Sequence, residues 1–299
     1  MLGLLNINKP LDWTSRDVVN RVTRLANPDK VGHAGTLDPL ATGVLVVAVG
    51  GATRLVEYLQ QQPKRYRADF RFGESSASDD LELPTERLDN PPVPTLAEVT
   101  AALPPFIGEI SQVPPAYSAI KVGGRKSYDM ARQGQAVELA PRPVAIHALE
   151  VVRYDYPELT LDINCGSGVY VRSLGRDLAA SLGTAAVMTQ LVRTAIGALQ
   201  LETAVTVEQL LADGLAPHLL PARFATQHLP QVKLTEAECL ELRHGRFLDA
   251  GKLVSLRGEA AGIGPDGELV AVIRHENGKL RPSCVLETIQ QQKRVCHHT

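Results

Sequence analysis

The chain has few of the features that mark disulfide-rich, zinc-binding or membrane-spanning proteins. Its four cysteines are widely scattered and form no Cys-x-x-Cys pair, which argues against a disulfide framework and a zinc site of the usual spacing. No apolar run approaches the roughly 20 residues that cross a bilayer, and the amino terminus lacks the basic start of a signal peptide. The sequence therefore predicts a protein of the reducing cytoplasm, with no metal and no membrane attachment.

Net charge is also low, at −2 over 299 residues. This value argues against a nucleic-acid-binding protein, but the charges are unevenly distributed. Residues 1–73 carry ten basic and six acidic side chains, residues 74–110 carry one and eight, and residues 111–145 carry five and two. A basic surface can thus exist on a nearly neutral molecule, and an ordinary solvated surface is the alternative.

The most constrained stretch of the sequence is residues 32–43, which read Gly-His-Ala-Gly-Thr-Leu-Asp-Pro-Leu-Ala-Thr-Gly. Three glycines and a proline surround one carboxylate, Asp38, and the apolar run at 44–49 predicts a buried strand directly after it. A carboxylate on a constrained loop at the edge of a rigid core is in a typical position for catalysis. The alternative is structural, because Asp-Pro often begins a turn.

Residues 32–43 resemble the signature of the TruB family of tRNA pseudouridine synthases, approximately Gly-His-x-Gly-x-Leu-Asp-Pro-x-Ala-Thr-Gly. Every fixed position of that pattern is present here. The aspartate is the catalytic nucleophile of the family, so the resemblance implies this role for Asp38. It also implies that His33 stacks where the target base had been, and a loop histidine bonded to backbone is the alternative.

The first motif of the family and its Lys-x-Tyr motif are matched on either side of this stretch. Residues 8–15 resemble Asn-Lys-Pro-x-x-x-Thr-Ser, although Asp12 stands where relatives commonly have glycine. Residues 64–66 match Lys-x-Tyr, which implies contact between Tyr66 and the target base. The strict alternation from 64 to 73 predicts a strand, and without the resemblance the favoured interpretation of Tyr66 is a core tyrosine with a satisfied hydroxyl.

Residues 168–172 match the third signature, Gly-x-Tyr-x-Arg, at a predicted strand-to-helix corner. Tyr170 and Arg172 are two residues apart and can approach one pocket, where Arg172 could pair with Asp38 and keep it ionised. Without the resemblance, Arg172 would be a surface cation. Leu191 matches a leucine that borders the base in relatives, and apolar packing explains it equally well.

Two segments between these motifs differ in character. Residues 74–94 are polar, acidic and proline-bearing, which predicts an exposed and partly mobile loop. Relatives carry Thr-Asp-Thr-x-Asp-x-x-Gly there, and residues 75–82 are a degenerate version of it.

Residues 113–142, which we call the thumb segment, combine Pro, Gly, cations and two tyrosines, a composition typical of contact with phosphates and bases. They resemble the flexible RNA-gripping thumb of the family, and a surface loop before a short helix is compatible with this interpretation.

The resemblance implies an α+β protein with the pseudouridine synthase fold, in which helices flank a mixed, largely antiparallel sheet. We expect a catalytic domain at 1–226 and a small β-rich, PUA-like accessory domain at 227–299, ending in a disordered tail. Within the second domain the sequence predicts a helix at 235–243, strands near 252–256, 268–274 and 280–286, and hairpin turns at 265–267 and 277–278.

The function that the resemblance implies is isomerisation of uridine to pseudouridine at position 55 in the T loop of tRNA. The target base must be flipped out, with Tyr66 or Tyr170 as a platform and Leu191 as an apolar wall. Asp38 then attacks either C1′ of the sugar or C6 of the base, and Tyr66 is a candidate for removing the C5 proton. We expect tRNA as the partner, no cofactor, no obligatory protein partner and a monomer.

Two other functions compete with this one. The first is that of a relative that modifies ribosomal RNA within a guide-RNA particle. Such proteins usually carry longer basic extensions than this chain has. The second is a non-enzymatic RNA-binding or RNA-folding module in which Asp38 only forms a turn. The joint presence of Asp38, His33, Tyr66, Tyr170 and Arg172 argues against the second.

Overall fold

The fold is seen in a computed structural model that describes residues 1–118, 120–122, 124–133, 139–249, 251 and 258–286. The predicted strand near 252–256 and the predicted disordered tail lie outside these residues. No helix in the described part of the chain is long and apolar enough to cross a membrane. The helices are α1 (Ser15–Ala26), α2 (Val56–Gln61), α3 (Leu96–Ala102), α4 (Ser127–Arg132), α5 (Val171–Ser181), α6 (Val207–Asp213) and α7 (Glu236–Arg243).

The strands, in chain order, are β1 (Gly3–Lys9), β2 (Val31–His33), β3 (Ala41–Val49), β4 (Lys64–Phe72), β5 (Glu74–Ser76), β6 (Thr85–Arg87), β7 (Gly108–Gln112), β8 (Lys121–Val122), β9 (Arg125–Lys126), β10 (Arg142–Asp155), β11 (Glu158–Cys165), β12 (Ala186–Ile196), β13 (Leu199–Gln200), β14 (Gln231–Lys233), β15 (Leu248–Asp249), β16 (Glu259–Ile263), β17 (Leu269–Glu276) and β18 (Lys279–Val285). The chain divides into two compact units, described separately below. The first comprises Met1–Pro39, Gly43–Gln62 and Ala195–Thr299, and the second comprises Leu40–Thr42 and Pro63–Thr194.

Strand β3 is the centre of the first unit. It pairs antiparallel with β1, so that Gly3 lies opposite Val49, and β2 also pairs antiparallel with it. Both faces of β3 are buried, because Leu45 and Val47 pack with α1 while the alternate residues pack in a second cluster. This burial on two sides explains the unbroken apolar run and confirms the predicted strand. Helix α1 begins after Thr14 with the predicted capping box to Asp17.

The carboxyl-terminal residues of the first unit form a five-stranded sheet in the order β14-β16-β17-β18-β15, with β14 parallel to β16 and the other pairs antiparallel. The predicted hairpin turn at Asn277-Gly278 is confirmed, since both residues have positive φ, 50° and 77°. Residues of this sheet share one apolar cluster with β1 and β3, through Ala261, Leu269 and Val272. The β-rich character of this region is therefore confirmed, although the short strands β14, β15 and β16 were not predicted.

In the second unit the strands follow the order β12-β4-β11-β10-β7, and the pairs from β4 to β7 are antiparallel. The predicted alternation in β4 is confirmed: Ala68, Phe70 and Phe72 are buried, while Arg67 and Arg71 form ion pairs with the facing strand β11. Helix α5 packs closely on this sheet at Gly175, where an added Cβ would lie 2.1 Å from Cε1 of Phe70. The α+β class with a largely antiparallel sheet is thus confirmed.

For residues 74–94 we predicted an exposed, partly mobile loop. The predicted exposure was wrong for several residues between 74 and 80. Strands β5 and β6 pair as a hairpin, and Glu74, Ser78 and Asp80 are 6%, 0% and 0% exposed. The acidic composition suggested solvation, but arginines of the same unit form ion pairs with Glu74, Asp79 and Asp80. Most residues from 81 to 93 are exposed, as predicted.

Candidate active site

The predicted nucleophile lies in the first unit on the connection from β2 to β3. Asp38 is partly buried in an irregular stretch, and His33 is the last residue of β2, paired with Val47. Gly35 has φ of 90°, a conformation that favours glycine and allows the chain to leave β2 abruptly. We call residues 34–39 the catalytic loop, after the predicted role of Asp38. Gly35 of the signature thus allows the backbone turn that shapes the loop, and Asp38 is the one carboxylate in the loop.

Lys9, from the first motif, holds one side of this loop. Its side chain is fully buried, and Nζ donates to the carbonyl oxygens of Pro10 at 2.9 Å, of Trp13, and of Pro39 at 3.2 Å. A buried ammonium is tolerated only when such oxygens replace its water. The residue directly after Asp38 is therefore fixed by a charge-assisted hydrogen bond.

Ser15 and Asp12 complete the support of the loop. The Ser15 hydroxyl accepts from the backbone N of Leu37 at 2.9 Å and lies 3.2 Å from the carbonyl oxygen of the same residue. The backbone N of Asp12 donates to the Pro39 carbonyl at 2.9 Å. Both neighbours of Asp38 are thus held by the first motif, which is the rigidity that a reactive side chain needs. The sequence predicted only a helix start at Thr14-Ser15 and missed this second role of Ser15.

Asp12 also accounts for the departure from the family pattern. Its φ is 63°, in the left-handed region where glycine is the usual residue and aspartate is tolerated. Asp12 therefore adopts a backbone conformation that glycine would adopt without strain.

In the second unit, Tyr66 and Leu191 lie on neighbouring strands. Tyr66 is on β4, opposite Ile163 of β11, and is partly buried. Leu191 is on β12, the strand next to β4, and is 6% exposed. A tyrosine and a leucine on adjacent strands are suited to contact a planar base, and they are equally suited to a core.

Tyr170 is held at the start of α5 by a buried glutamine that the sequence did not reveal. Gln112 is 2% exposed; its Nε2 donates to the Tyr170 carbonyl at 3.1 Å, and its Oε1 accepts from the Tyr170 backbone N at 2.8 Å. This paired bond fixes the backbone of Tyr170 from a strand 58 residues earlier in the chain. No local pattern signals such a distant contact.

Arg172 is a buried cation and not a surface one. It is 6% exposed; Nη1 lies 3.2 Å from Oδ2 of Asp80 and donates to the Ser78 carbonyl at 3.0 Å, while Nη2 donates to the Tyr117 carbonyl at 3.0 Å. Asp80 is a carboxylate partner of Arg172 that the sequence analysis did not predict; it directly follows Asp79, which occupies the second aspartate of the degenerate family element. The pairing of Arg172 with Asp38 stays a prediction.

Lys64 of the Lys-x-Tyr motif is a third buried cation. Burial, followed by repulsion from the Arg193 guanidinium, lowers the pKa of Lys64 to about 8. Burial also raises the pKa of the Cys165 thiol, opposite Lys64 on β11, to about 12, so that this cysteine is an inert thiol at neutral pH. In the described part of the chain, no three His, Cys, Asp or Glu side chains come together to hold a metal ion.

The chemistry that these groups permit centres on Asp38. A carboxylate whose two chain neighbours are fixed is suited to nucleophilic attack or to proton transfer. The two units divide the predicted residues between them: His33 and Asp38 belong to the first, and Tyr66, Tyr170, Arg172 and Leu191 to the second.

Comparison with known families gives two matches that together cover most of the chain. Residues 23–171 match the TruB family pseudouridylate synthase (N terminal domain), and residues 229–287 match tRNA pseudouridine synthase II, C terminal. Among individual proteins, tRNA pseudouridine synthase B of Arthrobacter sp. (strain FB24) is 40% identical over 302 residues, which cover 97% of this chain and 98% of that protein. The protein of the same name from Rhodospirillum rubrum is 43% identical over 293 residues, 94% of each chain.

Among solved structures, a chain in the crystal structure of a Cbf5-Nop10-Gar1 complex has the same fold. The TM-score is 0.72 at 26% sequence identity, and the superposition covers 95% of this chain and 84% of that one. The sequence similarity therefore covers residues 23–171 and 229–287, and the structural similarity covers 95% of the chain.

Proposed function

This chain belongs to the TruB family of pseudouridylate synthases, and from that membership we propose that it converts the uridine at position 55, in the T loop of tRNA, to pseudouridine. As a member of the family it is a pseudouridine synthase with the corresponding fold. The observation that carries the proposal is the complete signature at 32–43, which lies on a loop whose residues on either side of Asp38 are held by Ser15 and Lys9.

The reaction moves one bond of the nucleoside without a net change in composition. The bond from N1 of the base to C1′ breaks, the base rotates, and a bond from C5 to C1′ forms. The hydrogen at C5 leaves as a proton, and N1 gains one. Asp38 supplies the covalent step by attack at C1′ or at C6, and a base then removes the C5 proton.

The other residues serve the flipped base in this proposal. Tyr66 contacts the base and is placed to accept the C5 proton, while Tyr170 and Leu191 provide the platform and the apolar wall. His33 stacks where the base had been. Arg172 pairs with Asp38 and keeps it ionised, a role for which its burial and its ion pair with Asp80 supply the rigidity.

We also propose that the protein acts alone, as a monomer, in the cytoplasm, where tRNA is found. The solved relative was crystallised as a complex of three named proteins, so dependence on protein partners is the alternative to be tested. The tRNA substrate follows from the names of relatives that align with nearly all of this chain.

The test is release of tritium from tRNA transcripts that carry uridine labelled at C5. Wild-type protein alone, without cofactor or guide RNA, should release one label per tRNA. A transcript with cytidine at position 55 should release none, which separates this site from other uridines. Asp38→Asn should abolish release while tRNA affinity stays within about tenfold, because the change removes the nucleophile but few contacts.

Asp155→Asn is the matched control, since the Asp155 side chain is 80% exposed at the far end of β10. It should release tritium at the wild-type rate. Tight binding without release by the wild type would overturn the stand-alone enzyme and favour an RNA-binding module or a partner-dependent one. Release from the cytidine-55 transcript would overturn the assignment of the position.

A further inference from the structure

A second arginine lies one turn beyond Arg172 on α5 and contacts the same two segments. Nη1 of Arg176 lies 2.9 Å from Oδ2 of Asp79, and Nη2 donates to the Val113 carbonyl at 3.0 Å. Its Nε also donates to Asp177 at 2.9 Å, which fixes the guanidinium on the helix. The two arginines thus run in parallel, each joining α5 to the loop at 78–80 and to the first residues of the thumb segment.

The Val113 contact lies at the base of the thumb segment. Ser173 of α5 also donates to the Val113 carbonyl, at 2.9 Å, so this oxygen accepts two hydrogen bonds from the helix. Further along, the Ser127 hydroxyl donates to the Ser118 carbonyl at 2.9 Å, and the backbone N of Tyr128 donates to the same oxygen at 3.0 Å. The start of α4 is therefore hydrogen-bonded to Ser118, and Val113, the first residue of the thumb segment, is hydrogen-bonded to α5.

The Asp79 contact lies at an unusual backbone position. Asp79 has φ of 59°, in the left-handed region, and its carbonyl accepts from the backbone N of Met188 at 3.0 Å. The next residue is Asp80, which pairs with Arg172. The carboxylate of Asp79 is 13% exposed and the guanidinium of Arg176 is 32% exposed, so the pair is shielded enough to fix geometry.

We propose that Arg176 is a positioning residue for RNA binding. Through its contacts with Asp79 and Val113 it holds the first residues of the thumb segment in the position that RNA binding requires. The proposal rests on the proposed function and deepens it. Arg172, one of the predicted site residues, holds Asp80 and Tyr117, whereas Arg176, which is not one of them, holds Asp79 and Val113 in the same two segments. Loss of Arg176 should therefore weaken the hold on RNA and leave the chemical step nearly unchanged.

The test compares Arg176→Gln and Asp79→Asn with wild type in the tritium-release assay. Asparagine tolerates a left-handed φ, so Asp79→Asn removes the charge without backbone strain. Each variant should raise KM for the tRNA transcript about fivefold to tenfold, with kcat within about twofold. The double variant should raise KM no more than either single variant, because both remove one pair. Arg176→Lys should restore part of the loss, since an ammonium can pair with Asp79 but cannot hold Val113 at the same time.

Arg153→Gln is the control, because Arg153 is 71% exposed on β10 of the same unit; its KM should equal that of wild type. Hydrogen exchange of free protein gives a readout independent of activity: in Arg176→Gln, amides at 113–118 and 124–133 should exchange faster, while those of β4 and β11 stay protected. An unchanged KM with unchanged exchange would overturn the proposal, and so would a fall in kcat at constant KM. If wild type released no tritium, the proposed function would fail, while the exchange result would still decide whether Arg176 holds the thumb segment.

Discussion

Two irregular loops carry the acidic residues of interest, and they are held in different ways. The catalytic loop of the first unit is fixed through its backbone, by the Ser15 hydroxyl on Leu37 and by Lys9 on the Pro39 carbonyl. The loop at 76–82 in the second unit, which we call the acidic loop, also accepts hydrogen bonds at the Ser78 and Asp79 carbonyls. In addition, it is fixed through two carboxylates, which pair with arginines of α5.

This difference in support indicates different roles for Asp80 and Asp38. Asp80 is fully buried beside a guanidinium and satisfies a structural charge. Asp38 is only partly buried, and the residues on either side of it are held by Ser15 and Lys9 through their backbone atoms. In the proposed function Asp38 must change its bonding during the reaction, and support of its neighbours through the backbone keeps the loop in place while it does so. The following predictions test this contrast, from the largest expected effect to the smallest.

Breaking the buried pair of the acidic loop should have the largest effect on stability. Arg172→Met leaves Asp80 buried and uncompensated, which should lower the free energy of unfolding by about 3–5 kcal/mol. Urea unfolding measures the change. Arg67→Met is the matched control, because the pair of Arg67 with Asp162 is 53% and 42% exposed and should contribute under about 1 kcal/mol. Equal losses in the two variants would show that the acidic loop does not depend on its buried pair.

Removing the cation that supports the catalytic loop should have a somewhat smaller effect on stability. Lys9→Met deprives three backbone carbonyls of their donor, so we expect a loss of about 2–3 kcal/mol. Because Pro39 is one of these carbonyls, kcat should also fall at least about tenfold, while KM changes less. The exposed Lys30 provides the control variant, Lys30→Met. A normal kcat in Lys9→Met would show that the loop keeps its shape without this support.

Lys64 extends the comparison to a buried cation whose pKa is lowered, to about 8 from a usual value of 10.5. Below pH 8 the folded and unfolded chains both carry the proton, and the unfavourable burial of the charge is fully present. Between pH 8 and 10.5 only the unfolded chain keeps it, so the stability contribution of Lys64 rises with pH. Relative to Lys64→Met, wild type should gain about 2 kcal/mol between pH 7.5 and 10.

Urea unfolding of both proteins across this pH range provides the measurement, and taking their difference removes the titration of all other groups. Lys233→Met, at an exposed position on β14, should show no such trend against wild type. A difference between wild type and Lys64→Met that stays constant with pH would contradict the lowered pKa.

Local signals in the sequence predicted the elements that carry their own pattern. The apolar run of β3, the alternation of β4 and the capping box at Thr14 were all confirmed. Each depends on neighbours within a few residues, which a single sequence displays. The short strands β14 and β15, of three and two residues, are too brief to show a period and were not predicted.

The support of the candidate site was much less visible. The signature indicated Asp38, but the sequence did not reveal that Gln112 holds Tyr170 across 58 residues or that Asp80 is buried beside Arg172. An acidic, polar stretch ordinarily predicts solvation, and only the position of α5 supplies the arginines that reverse this. Composition describes a segment in isolation, whereas burial depends on what packs against it.

The smallest predicted effect concerns two aspartates that share one backbone conformation. Asp12, beside the catalytic loop, and Asp79, in the acidic loop, have φ of 63° and 59°. Glycine relieves the left-handed strain at either position but increases the entropy of the unfolded chain, so Asp12→Gly should change the free energy of unfolding by no more than about 0.5 kcal/mol. Asp79→Gly loses the same strain together with the ion pair to Arg176, and should be less stable than Asp12→Gly by about 1 kcal/mol. Urea unfolding of both variants measures this gap, with Asp12→Val, a β-branched residue that this φ disfavours, as the control for strain. If the two glycine variants were equally stable, the carboxylate of Asp79 would contribute nothing to the acidic loop, and the difference between the two loops would rest on the pair of Asp80 with Arg172 alone.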